Sequence, residues 1–425
     1  MDESRRSRRD LIQNIAILLL SVSAVLLFVR TQLLSRDTVS GWLPNLFSAA
    51  APAADAAVSA PTELTGLSVP VRIVVTGAYG RYGNIAMTTT DEGFSVPGSR
   101  LREALASAGD PDVCTEKDFR KALSTTSAYY DFGTDLPLSV VAGLVGADAP
   151  VGNSEVRQLA LSSNEGGVRL YWTDGRTYSC CKTAVTREDL AELVNSYQLG
   201  NASFAFDLGD GTDLAPYSLF LTDDLPSFPV LAASDPLGNS DSLLSALGFN
   251  PRTKNRYAES SGTEVIMDGD RRLRILSDGT VVYESGSDAA ALQIPAAGDV
   301  PTAEEAVMGS CQLLSSMLGD GGDAALCPLS VHRSGNAWTL TFGYQVGGIP
   351  VRRSDGSPAA EVQISGTEIR SLSLYLRQYA ITDGESLLLP LPQALAIAGK
   401  HAGAEMDICY TDGGADTVSA CWLAE

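Results

Sequence analysis

The chain reads as an α+β protein: one N-terminal transmembrane helix, then an ectodomain rich in antiparallel sheet. Three observations predict this. Residues 11 to 29, LIQNIAILLLSVSAVLLFV, are apolar without a single charge. From Val69 onward, short runs of alternating apolar and polar residues recur between glycine-rich turns, the period of half-buried strands. Between these runs, Thr-x-x-Asp and Thr-x-x-Glu capping boxes open amphipathic stretches that read as helices.

The apolar run spans roughly 28 Å as a helix, enough to cross the ~30 Å hydrocarbon core. Arg5, Arg6, Arg8 and Arg9 precede it, which keeps residues 1 to 10 cytoplasmic and places the rest outside the cell membrane. A cleaved signal peptide is the competing reading. The nearest small-residue cleavage sites lie in SAAAPAADAA, about twenty residues past the run, too far for ordinary cleavage, so a retained single-pass anchor is favoured. On this helix Asn14, Ile17, Leu18, Ser21, Ala24, Val25 and Phe28 follow spacings of three and four. Small and hydrogen-bonding residues on one face let a neighbouring span approach closely, so this face is the candidate partner contact. The plainer alternative puts Asn14 at the inner interface and bonds the serines to their own backbone.

Residues 30 to 63 are rich in Ala, Pro and Ser, with Trp42 and Phe47 suited to the membrane interface, and are expected to form a linker. An N-terminal α+β unit follows over 64 to 235. It opens with VPVRIVVTG and NIAMTTT as a hairpin around GAYGRYG. Helices are expected near 98 to 108, from Thr115 with Asp118, and from Thr186 with Asp189. SAYYDFG, LSVVAGLVG, VRQLALSS, ASFAFD and YSLFLT read as strands, and VRLYWTDGRTYSCC as a hairpin on Asp174-Gly175.

A weak repetition follows. Over 236 to 300 the helix DSLLSALGF precedes strands TEVIM, RLRIL and TVVYE, the last two joined at Asp278-Gly279. Over 301 to 425 a longer helix capped by Thr302 and Glu305 precedes WTLTFGYQVGGIPV and EIRSLSLYLRQYAI. The helix PLPQALAIAG and the hairpin EMDICYTDGGADTVSACW close the chain. Each helix can bury its apolar stripe on one face of the following meander.

The whole chain carries a net charge of −21, and counting from residue 31 leaves about −23. Such a surface repels nucleic acid and anionic headgroups, and suits solubility or a cationic partner. Seven cysteines, all past the apolar run, leave at least one unpaired. Cys409 and Cys421 flank TDGGAD symmetrically about Ala415, so a hairpin centred there sets them opposite each other. Cys311 and Cys327 would close a loop across the end of a helix. These four are the candidate disulfide residues. Cys180 and Cys181 are adjacent and cannot bridge in the ordinary way.

Signs of catalysis are few. The two histidines, His332 in an expected turn and His401 after a helix, stand in no motif, and no GxSxG, HExxH, SxxK or Walker A sequence occurs. GAYGRYG lacks the dinucleotide spacing. DLGDGTD (Asp207, Asp210, Asp213) and GDGGD (Asp320, Asp323) offer oxygens to Ca²⁺ without EF-hand spacing. No catalytic, cofactor or metal residue is therefore assigned. An unmarked pair of carboxylates remains a route to hydrolysis.

Several segments carry a family likeness: LLSALGFNPRTKNRYAESSGTEVIMDGDRRLRILSDGTVVYES at 243 to 285, then TAEEAV, FGYQVGGIPV, SLYLRQY, LPQAL, DICY and CW within 302 to 422. With the single span and large exterior region, they resemble the YycH/YycI family of Gram-positive bacteria, membrane-anchored accessory proteins of the WalK (YycG) two-component sensor histidine kinase. The resemblance implies a C-terminal half of two PepSY-like or cystatin-like units and no enzymatic activity. It also implies, as partners, the membrane-embedded sensor kinase of cell-wall homeostasis and a sister accessory protein. The cysteine content and the short tail after Trp422 depart from that pattern. The alternative is an extracytoplasmic PepSY-like binding or inhibitor module for a protease or a cell-wall component.

Overall fold

A computed structural model describes residues 63–148, 154–208, 214–222, 225–235, 240–286, 292–319, 322–399 and 403–424. The expected membrane helix and its contact face from Asn14 to Phe28, and the linker up to residue 62, lie outside the described residues. Among the described residues no helix is long and apolar enough to cross a membrane.

The protein is α+β and strand-rich, with mostly antiparallel pairing. The first sheet contains β1 (Arg72–Gly77), β2 (Gly80–Asn84), β3 (Asp112–Val113), β4 (Ser127–Pro137), β5 (Glu155–Asn164), β6 (Gly167–Thr173) and β7 (Tyr178–Lys182), in the order β2-β1-β4-β5-β6-β7-β3. The turn between β1 and β2 is only Ala78-Tyr79, so five of the seven residues of GAYGRYG are strand and the return ends at Asn84, earlier than NIAMTTT suggests. Both faces of this sheet are buried. Tyr130, Leu159, Leu161 and Leu170 face α1 (Ser95–Ala106) and α4 (Arg187–Asn195). Val74, Tyr129, Ala160 and Tyr171 face α2 (Glu116–Leu123) and the ribbon of β8 (Ala202–Phe204) and β9 (Leu219–Leu221). Two-sided burial explains why AYYDF carries apolar side chains on both faces rather than strict alternation.

The capping boxes form as read. Thr115 and Asp118 open α2, Thr186 and Asp189 open α4, and Thr302 and Glu305 open α6 (Ala303–Leu318). One expectation is overturned: LSVVAGLVG is not a strand but holds the helix α3 (Leu138–Leu144). Its Leu138, Val140, Val141, Ala142 and Leu144 are buried, and only Ser139 and Gly143 form a narrow, partly open face. With one polar residue in seven, so short a helix carries too little period to set it apart from a strand.

The second sheet has eleven strands. It begins with β11 (Arg256–Ala258), β12 (Glu264–Asp268), β13 (Arg271–Ile275) and β14 (Thr280–Ser285), preceded by α5 (Ser240–Ala246). It continues through β15 (Ala325–Ser334), β16 (Ala337–Val346), β17 (Ile349–Arg353), β18 (Ala360–Ser365) and β19 (Glu368–Tyr375), and ends in β21 (Met406–Asp412) and β23 (Ala420–Ala424). The two expected meanders are joined edge to edge, because β14 pairs with β19 from Thr280↔Tyr375 to Glu284↔Ser371. Leu273, Tyr283, Phe342, Val362 and Leu372 turn one face to the core that holds Leu244 of α5, Leu247 just after it, and Val307 and Leu314 of α6. Arg272 with Glu284 at 3.7 Å and Arg274 with Glu259 at 3.8 Å lie on the half-exposed side, the division usual for an antiparallel sheet.

β10 (Pro229–Ser234) leaves the N-terminal region to pair with β20 (Gln378–Glu385) and β22 (Thr417–Val418). EIRSLSLYLRQYAI thus supplies two strands that part at Leu376-Arg377 and enter different sheets. The helix α7 (Leu391–Ala398) packs in a small cluster with Phe220 and Met406. The largest core cluster among the described residues draws members from Leu64 to Ala420 and so includes both large sheets.

Candidate functional site

The two large sheets meet at a seam, and an ion-pair network fills its floor. Arg72 and Asp131 are directly opposed on β1 and β4, Arg72 the one charge of β1 and Asp131 the one charge in the buried stretch from Ser127 to Phe132. A charge in that position must be paired to stay buried. Arg72 reaches Asp131 at 3.4 Å, Glu405 at 3.4 Å and Asp407 at 3.2 Å. Arg157 reaches Asp131 at 3.7 Å and also pairs with Glu405. Two arginines and three carboxylates therefore tie β1, β4 and β5 to the region around β21.

A bulge makes room for this. Beyond Asp131 the β4–β5 register jumps, so residues 132 to 135 stand opposite Arg157 alone. Bulges of this kind re-aim side chains. The Gly133 amide donates to Asp131 Oδ1 at 2.8 Å, and the Tyr129 hydroxyl donates to Oδ2 at 3.3 Å.

These contacts divide the titration of the acids. Burial alone would push Asp131 up, but Arg72, Arg157 and the two hydrogen bonds outweigh it and hold the carboxyl below the usual range. Glu405 goes the other way: burial, then the charge of Asp131, raise it above its ordinary value despite both arginines. Burial opposes the charge on Arg72 as well, yet Asp131, Asp407 and Glu405 together lift its pKa above the ordinary guanidinium value.

Above this floor lies a cavity of about 480 Å³. Val71, Phe132, Leu329, Tyr344, Ile349 and Ile408 supply much of its wall, Arg72, Asp131 and Asp407 its charged end, and Arg352 and Arg353 its basic side. Leu329 enters because β15 carries its own bulge, which leaves Leu329 as the extra residue between Pro328 and Ser330. Gly343 faces it, and a Cβ there would stand 3.1 Å from Leu329. Arg353 is held by Asp355 at 2.9 Å and lies over the Tyr375 ring at 4.2 Å.

The FGYQVGGIPV hairpin closes the wall by docking on the start of the N-terminal region. Gln345 Nε2 donates to Ser68 Oγ at 3.0 Å and to its carbonyl at 3.3 Å, while Gln345 Oε1 accepts from the Gly348 amide at 2.8 Å. Gly348 has φ +79°, and a Cβ there would lie 2.5 Å from the Met87 amide nitrogen. Only glycine meets both demands.

The residues singled out in the sequence fall as follows. Cys409 and Cys421 are directly opposed on β21 and β23, in a register centred on Ala415 as the flanking symmetry predicts, and both are thiols in this structure. Cys311 on α6 and Cys327 on β15 are buried, also as thiols. His332 lies in β15 rather than in a turn. Asp207 pairs with Arg81, and Asp323 accepts the Ile381 amide at 2.7 Å, so both carboxylates are already engaged. Asp210, Asp213, Asp320 and His401 lie outside the described residues. Among the described residues no group of three or more His, Cys, Asp or Glu is placed to hold a metal ion.

The charged floor was missed in the sequence, since Arg72 and Glu405 lie 333 residues apart. One signal pointed to it: the single charges inside VPVRIVV and SAYYDFG. No family model, curated protein or solved structure matches the chain.

Proposed function

We propose that this chain is a membrane-anchored, extracytoplasmic regulatory protein without enzymatic activity, and that it works by binding at the seam between its two large sheets. The observation that carries this reading is the cavity above the Arg72 floor. Its volume is in the range of small-molecule sites, and its wall is apolar with a few convergent polar groups, the make-up of a binding pocket. The wall presents Asp131 and Asp407 but not Glu405, so the two carboxyls with opposed titration do not face a common ligand as acid and base. That favours recognition over hydrolysis.

The ligand is an apolar or amphipathic molecule, its body against Val71, Phe132 and Leu329 and its polar group toward Asp407 or Arg352. The partner on this reading is a sensor histidine kinase of the WalK type, an expectation that comes from the sequence resemblance. The face of Asn14, Ser21 and Ala24 would pack on the kinase span. A ligand that fits one packing of the two sheets better than another would bias the kinase, and an indifferent ligand would shift nothing.

The binding test uses full-length protein in lipid nanodiscs with anilinonaphthalene sulfonate, a dye whose emission rises in apolar sites. The native protein should show a saturable component that Leu329→Trp, which fills the cavity, removes without changing the unfolding midpoint. Equal saturable binding by both proteins would place the dye elsewhere and remove the cavity from the proposal.

A further inference from the structure

The fold sorts the seven cysteines into three neighbouring couples and one remainder. Cys409 and Cys421 are direct cross-strand partners, and both thiols touch the Thr411 hydroxyl, at 3.8 and 3.2 Å. Cys311 of α6 and Cys327 of β15 lie in the same core where the helix packs on the strand. The third couple is one that spacing does not suggest. The short strand β3 pairs with β7 through Asp112↔Cys180 and Val113↔Ser179, and the Cys114 amide continues the ladder to the Tyr178 carbonyl at 3.0 Å. Cys114 and Cys180 are thus diagonal neighbours on one face, near enough for Cys180 to add to the burial that raises the Cys114 thiol.

Strand alternation decides between the adjacent Cys180 and Cys181. Cys180 faces the cluster of Phe119 and Tyr129, against which Cys114 packs. Cys181 faces the opposite cluster with Leu170 and Leu190. Successive side chains of a strand point to opposite faces, so Cys181 cannot reach Cys114 without turning β7 over.

The three couples also share a place in the architecture. Among the described residues β3 is an end strand of the seven-stranded sheet, β23 is an end strand of the eleven-stranded sheet, and β15 pairs only with β16. Each couple therefore joins an edge strand, or the residue that extends it, to its neighbour or to the helix above it. Edges are where sheets fray and recruit foreign strands.

We propose that the protein carries three disulfides, Cys114–Cys180, Cys311–Cys327 and Cys409–Cys421, each securing a sheet edge, with Cys181 the one permanent thiol. The oxidant is a small disulfide such as oxidised glutathione. One cysteine thiolate attacks it and expels a glutathione thiolate, which takes up the proton the cysteine lost. The second cysteine then attacks the mixed disulfide and releases the second glutathione. Two thiols lose two electrons, and one glutathione disulfide becomes two glutathiones. Cys114 and Cys421 are half-exposed, so two couples can start this exchange in the folded protein. Neighbouring Cys409 lowers the Cys421 thiol below its ordinary value, which favours the thiolate. Cys311 and Cys327 are both buried, and their bridge has to form during folding.

The inference stands apart from the cavity reading. To test it, full-length protein from its host's membranes is lysed into N-ethylmaleimide, denatured in the same reagent, and mapped by mass spectrometry without reduction. Peptides linked 114 to 180, 311 to 327 and 409 to 421, with maleimide on Cys181 alone, are expected. In a second arm, purified protein is reduced and exposed to oxidised glutathione while folded. Here 114–180 and 409–421 should return, and 311–327 only after unfolding and refolding. Cys180→Ser should leave Cys114 alkylated with no link to Cys181. Maleimide on all seven cysteines in the host sample, any bridge that contains Cys181, or no 114–180 link in the second arm would overturn the proposal.

Discussion

Arg72 Nη1 lies 3.2 Å from Asp407 Oδ1, an ion pair between the first strand of the folded region and the last part of the chain. With Asp131 at 3.4 Å on the same guanidinium, Arg72 bridges two sheets that have no strand pairing with each other. Breaking a buried pair on one side strands the other charge, which costs more than the pair itself contributes.

Arg72→Met should therefore be strongly destabilising, by about 3 to 5 kcal/mol, because it leaves Asp131 and Glu405 to Arg157 and takes from Asp407 its arginine. Urea unfolding of the native and variant proteins measures this. Adding Asp407→Asn to Arg72→Met should recover part of the loss, whereas independent sites would add.

The same floor sets a pH dependence of known sign. The Asp131 pKa is depressed on folding, so its stabilisation is present above 3.8 and is lost as pH falls through the lower folded value. Asp131→Asn should flatten the acid limb of the stability curve below 3.8. The Glu405 pKa is raised, so its favourable share is present below 4.5 and is lost as pH rises through the folded value. Glu405→Gln should remove that decline above 4.5. Thermal unfolding across the acid range reads both.

Gly348→Ala should destabilise by more than about 1 kcal/mol, since φ +79° strains any L-residue and the new Cβ would press on the Met87 backbone. The neighbouring Gly347 also has a positive φ but open space around it, so alanine there should cost less. The difference between the two variants measures the close approach by itself.

Local features were legible where a few adjacent residues determine them. Thr115, Thr186 and Thr302 each announce a capping box three residues ahead, and all three form. The symmetry of Cys409 and Cys421 about Ala415 set the terminal register, because antiparallel pairing conserves the sum of partner numbers. LSVVAGL reads as a strand because a seven-residue helix with five buried apolar residues shows too little of the period that separates helix from strand. The Arg72 floor and the Cys114–Cys180 couple were not legible, because each depends on which strands become neighbours, and β3 reaches β7 across more than sixty intervening residues. What could be read was the demand for a partner, from Arg72 and Asp131 inside apolar strands, and not its identity.

If the protein is the proposed membrane-anchored regulator, it contacts a sensor kinase through its span. Affinity purification of the full-length protein from gently solubilised membranes of its own host, beside a sample with residues 11 to 29 replaced by an unrelated span, tests this. The account predicts that a sensor histidine kinase is recovered with the native span and lost with the replacement. Recovery of the same soluble or wall-bound partner with both spans, and no kinase with either, would contradict it.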